Sequence, residues 1–234
     1  KELTNTLFEI LYSNPKIPDS VKVMLNIQHR MPKAISDFIS REFYEGELDI
    51  SDDAASRTLE VEMQDSLYKD VFDSRYAIAL VNVESVGSKH SLNKKSEPEA
   101  KVIVDILRDL LKEGILPKQV GIIAPFRAQV AEIRKQIELD LFEYFDKSDD
   151  IKPIVDTVDR FQGDERDVII FSLTLIDDVI PDLLRDVRRL NVAISRARKK
   201  FIGVGNWDKV MGSKVLSNLL SYVKKNNGCF FFNY

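Results

Sequence analysis

With 234 residues, 44% of them hydrophobic and 31% charged, the chain has the composition of a globular protein and enough apolar material for one large α/β domain. Its net charge of −4 excludes a uniformly basic surface, so any polyanion must be met by a local concentration of cations. One cysteine, Cys229, excludes an internal disulfide and suits a reducing, cytoplasmic compartment. Two histidines far apart, His29 and His90, make a structural zinc site a poor fit, so no metal ligands are assigned. No apolar run reaches the roughly 20 residues of a membrane helix.

The opening residues KELTNTLFEI are unlike a signal peptide and carry no initiator Met. Residues 1–20 are expected to be a lead-in from a preceding domain of a longer protein, and residues 21–234 a single domain. Short β-branched runs predict buried strands at Val21–Leu25, Ala77–Val83, Val120–Ala124, Val168–Leu173 and Phe201–Val204, with Phe230–Phe232 as a tail. Glu45–Asp70, rich in acids and serine, predicts a surface excursion, and Val86–Pro98 an exposed loop. After Pro98, Ile103, Ile106, Leu107, Leu110 and Leu111 fall at helical spacing, and Gly114 stands where a helix ends. Val130, Ile133 and Ile137 repeat the pattern after Pro125, with Arg134, Lys135 and Glu138 on the wet side. Strands alternating with helices predict a parallel sheet covered on both faces, whose ligands bind at the carboxyl ends of the strands.

Four clusters stand out from this background. LNIQHRMPKAI, residues 25–35, places Gln28, His29 and Arg30 ahead of a helix that starts at a proline. GIIAPFRAQ, residues 121–129, is a strand, a Pro stop and a helix carrying Arg127 and Gln129. In VDTVDRFQGDERDVIIFSL, residues 155–173, Gly163 precedes a strongly apolar strand, where a missing Cβ lets backbone N–H groups approach an anion. Asp159, Gln162 and Glu165 crowd polar groups at the same edge. RRLNVAISRARKKFIGVGN, residues 188–206, sets arginines around the apolar stripe Leu190, Ala193 and Ile194. Arginine is the residue for bidentate phosphate contacts. Within this run Arg196 should emerge from a helix at the domain edge, while Arg198, Lys199 and Lys200 read as an ordinary basic helix surface. Taken singly, Arg30 reads as a structural arginine and the second cluster as a plain strand-loop-helix.

In order and spacing the four clusters resemble the C-terminal half of superfamily 1 helicases of the RNA-surveillance and Sen1-like class. That family reads Q-Y-R-M-H-P, P-Y-x-x-Q, T-V-D-x-F-Q-G-x-E-x-D-V-I-I-x-S and R-R-L-N-V-A-L-T-R-A-R. This chain has QHRMP at 28–32, PFRAQ at 125–129, TVDRFQGDERDVIIFS at 157–172 and RRLNVAISRAR at 188–198. His29 replaces the family's base-stacking Tyr, the His before Pro32 is missing, Phe126 stands for Tyr, and Ile194–Ser195 for Leu–Thr.

The resemblance implies the second RecA-like domain of a DNA/RNA helicase: an α/β fold with a parallel sheet and helices on both faces, of the P-loop NTPase type but without its own P-loop. Indeed the sequence has no Gly-Lys-Ser/Thr triplet. It further implies that ATP and Mg²⁺ are held mainly by an N-terminal RecA-like domain of the same parent chain. Arg196 would be the arginine finger and Arg30 a second γ-phosphate contact. Gly163 would offer its backbone near the phosphates, Glu165 would meet the ribose or order the loop, and Gln28 and His29 would face the nucleotide. Thr157 and Asp159 are the candidates for contact with single-stranded DNA or RNA. The competing reading is a RecA-like module that binds nucleic acid or a partner without turnover. A small-molecule α/β protein lacks support, because no GxGxxG loop follows the first strand.

Overall fold

The computed structural model describes residues 7–83, 94–146, 150–161, 163–175 and 180–232. In chain order its first half carries helix α1 (Leu7–Tyr12), strand β1 (Ile27–Gln28), α2 (Lys33–Phe43), β2 (Asp49–Ile50), α3 (Asp52–Ala55), α4 (Lys69–Phe72), β3 (Ile78–Asn82) and α5 (Glu97–Lys112). Then follow β4 (Val120–Ile123), α6 (Arg127–Asp140), β5 (Val155–Asp156), β6 (Arg166–Ser172), α7 (Asp182–Arg185), α8 (Val187–Ile194), β7 (Ala197–Gly205), α9 (Lys214–Lys225) and β8 (Cys229–Phe231).

Six strands form one sheet in the order β5-β4-β6-β7-β3-β8, and every pairing is parallel. The reason is legible along β6: Val168 and Ile170 enter one apolar core while Ile169 and Phe171 enter the other. A strand apolar on both faces needs cover on both. The first core lies under α4, α5 and α6, the second under α2, α8 and α9. The predicted α/β sheet sandwiched by helices is therefore present.

Local chemistry sets the helix ends. The Ser96 hydroxyl accepts the Glu99 N–H at the start of α5, and Gly114 follows its end at φ +84°. All five apolar residues predicted for its inner face are buried. In α6, Val130, Ile133 and Ile137 are buried as expected. In β7, Gly203 has room for no side chain: a Cβ there would lie 2.4 Å from the Trp207 ring, which packs on the strand and donates its Nε1–H to the Gly203 carbonyl.

Several expectations are corrected. Val21–Leu25 is not a strand. Val21, Val23 and Leu25 are exposed, and the paired residues are Ile27 and Gln28, held against Asp49 and Ile50. β-Branching alone does not make a strand where no neighbouring edge supplies hydrogen bonds. The Phe230–Phe232 tail is instead the edge strand β8, in parallel register with β3. Glu45–Asp70 is anchored rather than merely superficial, since Ala54, Leu59 and Tyr68 are buried. Of the Val86–Pro98 loop, residues 86–93 lie outside the described residues, and its end already belongs to α5. Strand β7 starts at Ala197, so Arg198, Lys199 and Lys200 lie on a strand and not on a helix surface.

Candidate functional site

Most polar residues of the four clusters, Gln129 and Ser172 excepted, assemble into two sites at opposite ends of the sheet. At the amino ends of β6 and β7, the turn Gly163–Glu165 meets the turn Ser195–Arg196 that joins α8 to β7. Arg166 N–H donates to the Arg196 carbonyl at 3.1 Å, which fastens the two turns. Gly163 holds φ +96°, a conformation that strains any residue with a Cβ. Its Cβ position faces open space, so glycine is required by the backbone angle and not by crowding.

Arginines surround this junction. Arg30 Nε lies 2.6 Å from Glu165 Oε2, and its Nη1 donates to the Ser195 carbonyl at 3.4 Å. Arg196 Nη1 donates to the Asp164 carbonyl at 3.1 Å. Arg166 reaches the Asp164 carboxylate at 3.0 Å, and Arg198 the second oxygen of Glu165 at 3.5 Å. Burial, and then the Arg30 charge beside it, hold the Arg196 guanidinium below its ordinary range. Its buried Nε has no hydrogen-bond partner among the described residues. The buried Nε groups of Arg166 and Arg198 share this condition, so the junction concentrates guanidinium donors suited to an anion.

Two expectations change here. The arginines lie at the amino ends of the strands, not the carboxyl ends, because α8 carries the chain down the sheet before Arg196 is reached. Arg196 also does not stand out from a helix: it sits past the end of α8 and is only 8% exposed.

Gln28 is half-buried, and its polar atoms are engaged within its own turn. Its Oε1 accepts the N–H groups of Arg30 and Met31 at 2.8 and 2.7 Å, and its Nε2 donates to the Met31 carbonyl. Gln28 thus shapes the loop that aims Arg30. His29 is exposed, and Arg57 braces it by donating to the carbonyls of His29 and Arg30. Gln162 lies outside the described residues.

At the carboxyl ends of β4 and β5 an open groove of about 470 Å³ contains Thr157 and Asp159. Four cations line it: Lys94, Arg127, Arg160 and Arg189. Phe126 forms part of its wall, with Lys94 Nζ 5.5 Å from the ring centroid. The sequence assigns Phe126 no role beyond standing for the family's Tyr, and Arg127 none beyond a helix start. The available signal was an aromatic next to an arginine directly after a buried strand.

One loop and one helix run between the sites. Arg189, on the first turn of α8, lies 3.2 Å from Asp159 at the groove, while Arg196, just beyond its last turn, holds Asp164. Arg196 lies seven positions beyond Arg189, a rise of about 10 Å at helical pitch. The loop 157–165 is thereby tied to both ends of α8.

The arginine junction fits a polyphosphate by donor chemistry: planar guanidinium forks and a glycine turn. Among the described residues no group of three His, Cys, Asp or Glu side chains converges to hold a metal ion. None of the described helices is long and apolar enough to cross a membrane.

Comparison with known proteins places this architecture. The family described as an AAA domain matches residues 3–208. The chain is 31% identical, over 96% of its length, to the DNA replication ATP-dependent helicase/nuclease DNA2 of Xenopus tropicalis, of which it covers 22%. It is 32% identical to the uncharacterized ATP-dependent helicase MJ0104 of Methanocaldococcus jannaschii, covering 96% of the chain and 32% of that protein. A third relative is the DNA polymerase alpha-associated DNA helicase A of Saccharomyces cerevisiae, 31% identical over 96% of the chain and 33% of the relative. The chain spans a fifth to a third of the length of these relatives. The chain therefore belongs to this AAA domain family, and its motifs are those of the superfamily 1 helicases.

Proposed function

We propose that the chain is the second RecA-like motor domain of an ATP-dependent DNA/RNA helicase, with Arg196 as arginine finger and Arg30 as a second γ-phosphate contact. The observation that carries this reading is the meeting of Arg30 and the buried Arg196 over the Gly163–Glu165 turn. Bound between this surface and an N-terminal RecA-like domain of the parent protein, ATP with Mg²⁺ would supply a phosphoryl group whose transfer releases free energy. Arg196 would stabilise charge that spreads over the phosphoryl oxygens, where a preorganised guanidinium acts with little reorganisation. Glu165 would order Arg30, and Gly163 would present its backbone without a side chain in the way. Gln28 would act through the loop that carries Arg30, and His29, exposed beside it, would offer its ring to the base.

In the groove, Thr157 would hydrogen-bond the single strand, Asp159 would orient Arg189, and the surrounding cations would meet phosphates. Because α8 and the loop 157–165 connect both sites, a shift of Arg196 on domain closure would be felt at Asp159 and Arg189. Such a mechanical link is what stepping along a strand requires. The exposed apolar residues Leu7, Phe8 and Leu11 support a lead-in segment that meets the preceding domain.

The test is Arg196→Ala in the full-length protein. Strand-stimulated ATP turnover is expected to fall by about 10³- to 10⁵-fold through kcat, with strand affinity and thermal stability little changed. Lys at this position should rescue poorly, since a point charge lacks the planar fork. Lys135→Ala, on the exposed side of α6, serves as the charge control. Turnover that survives Arg196→Ala would exclude the finger role, and a wild-type protein that binds strands without turnover would favour the binding module.

A further inference from the structure

Behind the groove lies a buried polar network that neither proposed site uses. Glu99, in the first turn of α5, is 2% exposed. Its Oε2 accepts the Ser172 hydroxyl at 2.7 Å and the Thr174 N–H at 2.8 Å. The backbone N–H groups of Leu173 and Leu175 also face it. These donors curl round the carboxylate because Thr174 adopts φ +50°, an uncommon angle for a residue with a Cβ.

Ser172 links this nest to a second clamp. Its oxygen accepts from Gln129 Nε2 at 3.3 Å and lies 2.9 Å from the Thr174 hydroxyl. Gln129 in turn grips the backbone of Ser96 from both sides, accepting its N–H at 2.6 Å and donating to its carbonyl at 3.1 Å. Every polar side chain in this set is buried. Lys95 adds an outer tie, 2.8 Å from Glu132 on α6.

The placement of these residues is what gives the network a role. Ser96 lies two residues after Lys94, and Gln129 lies two and three residues after Arg127 and Phe126, all three of which line the groove. Thr174 begins the connection that leads from β6 towards α8 and its groove residue Arg189. Two walls of the groove, Lys94 and Phe126–Arg127, are therefore joined through the Gln129 amide, which Glu99 steadies from below through Ser172, and both groups are out of reach of any ligand.

We propose that Glu99 and Gln129 are positioning residues for strand binding: through Ser172 and Ser96 they set the spacing of Lys94 and Phe126–Arg127, and so the grip on a single-stranded nucleic acid. The proposal rests on the reading of the groove as the strand site. Burial pushes the Glu99 carboxyl up to about 7 against the pull of its hydrogen bonds, so holding a carboxylate here has a cost that an uncharged core would avoid.

The experiment compares Glu99→Gln, Gln129→Met and the double variant in the full-length protein. The readouts are anisotropy with a fluorescent oligo(dT) or oligo(U), the KM for ATP, and thermal unfolding. Each single change is expected to weaken strand binding by about tenfold, equivalent to about 1.4 kcal/mol, with KM for ATP unchanged. The double variant should be little weaker than either single one, because both break the same unit. Ser172→Ala, which removes only the hydroxyl joining the two clamps, is the milder variant should Glu99→Gln fail to fold, and it should weaken strand binding in the same way. Wild-type strand affinity in folded variants overturns the proposal, as does an equal loss of strand and ATP affinity. A wild-type protein that binds no single strand would instead defeat the reading of the groove itself.

Discussion

Lys200 carries its ammonium group into the interior at the amino end of β7, 1% exposed, where the backbone carbonyls of Asp73 and Tyr76 accept its N–H groups. Those carbonyls precede β3, so the lysine ties the approach to one strand onto its neighbour. Desolvation brings its pKa from 10.5 down to about 7, with the Asp73 carboxylate pulling the other way. Between these two values the folded state binds fewer protons than the unfolded one, so stability should rise with pH from 7 to 10.5 and be lost as pH falls through 7. The slope from this group is at most about 1.4 kcal/mol per pH unit. Urea unfolding across that range should reveal it, and Lys200→Met should flatten it; an unchanged slope would show that the lysine does not titrate there. From sequence this residue looked like one more cation in a basic run. Burial of a single member of that run depends on which strand β7 lies beside, and no local pattern records that.

Helix α8 shows how much one short element can hold. Asp186 caps it by accepting the N–H groups of Arg188 and Arg189 at 3.0 and 3.3 Å, and Leu190, Ala193 and Ile194 bury its inner face. An eight-residue helix is marginal by itself, so the cap and the apolar face must act together. Asp186→Ala is expected to destabilise the protein by about 1 kcal/mol, and Asp186→Asn by less, because asparagine caps almost as well. Chemical denaturation measures both, and equal losses would point to the Asp186 charge near Arg189 as the larger effect. The apolar stripe of α8 was legible in its 3.6-residue spacing. Its end was not, since Ser195 and Arg196 continue the same composition into a turn, and only the pairing of Ala197 with Arg166 ends the helix there.

At the scale of the whole molecule, a chain of net charge −4 presents four cations in one groove. Asp159 offsets one of these and Asp156 lies near another. Strand binding should therefore be salt-dependent but not extreme: three or four phosphate contacts imply a log–log slope of about −2 to −3. Anisotropy from low to moderate salt gives the slope directly, and a flat line would mean that phosphates are not what the groove holds.

Periodicity and motif order are local records, so the sequence already carries the alternation of apolar strands and amphipathic helices, the parallel sheet and the family. It also named the residues that meet at the arginine junction, Arg30, Gly163, Glu165 and Arg196 among them. Packing between distant segments set the end of the sheet at which they gather and left Gln28 engaged within its own turn. It alone joined Glu99, Gln129 and Ser172, and turned the terminal aromatics into an edge strand. These outcomes depend on contacts between residues tens of positions apart, whose geometry is set by strand order and helix packing.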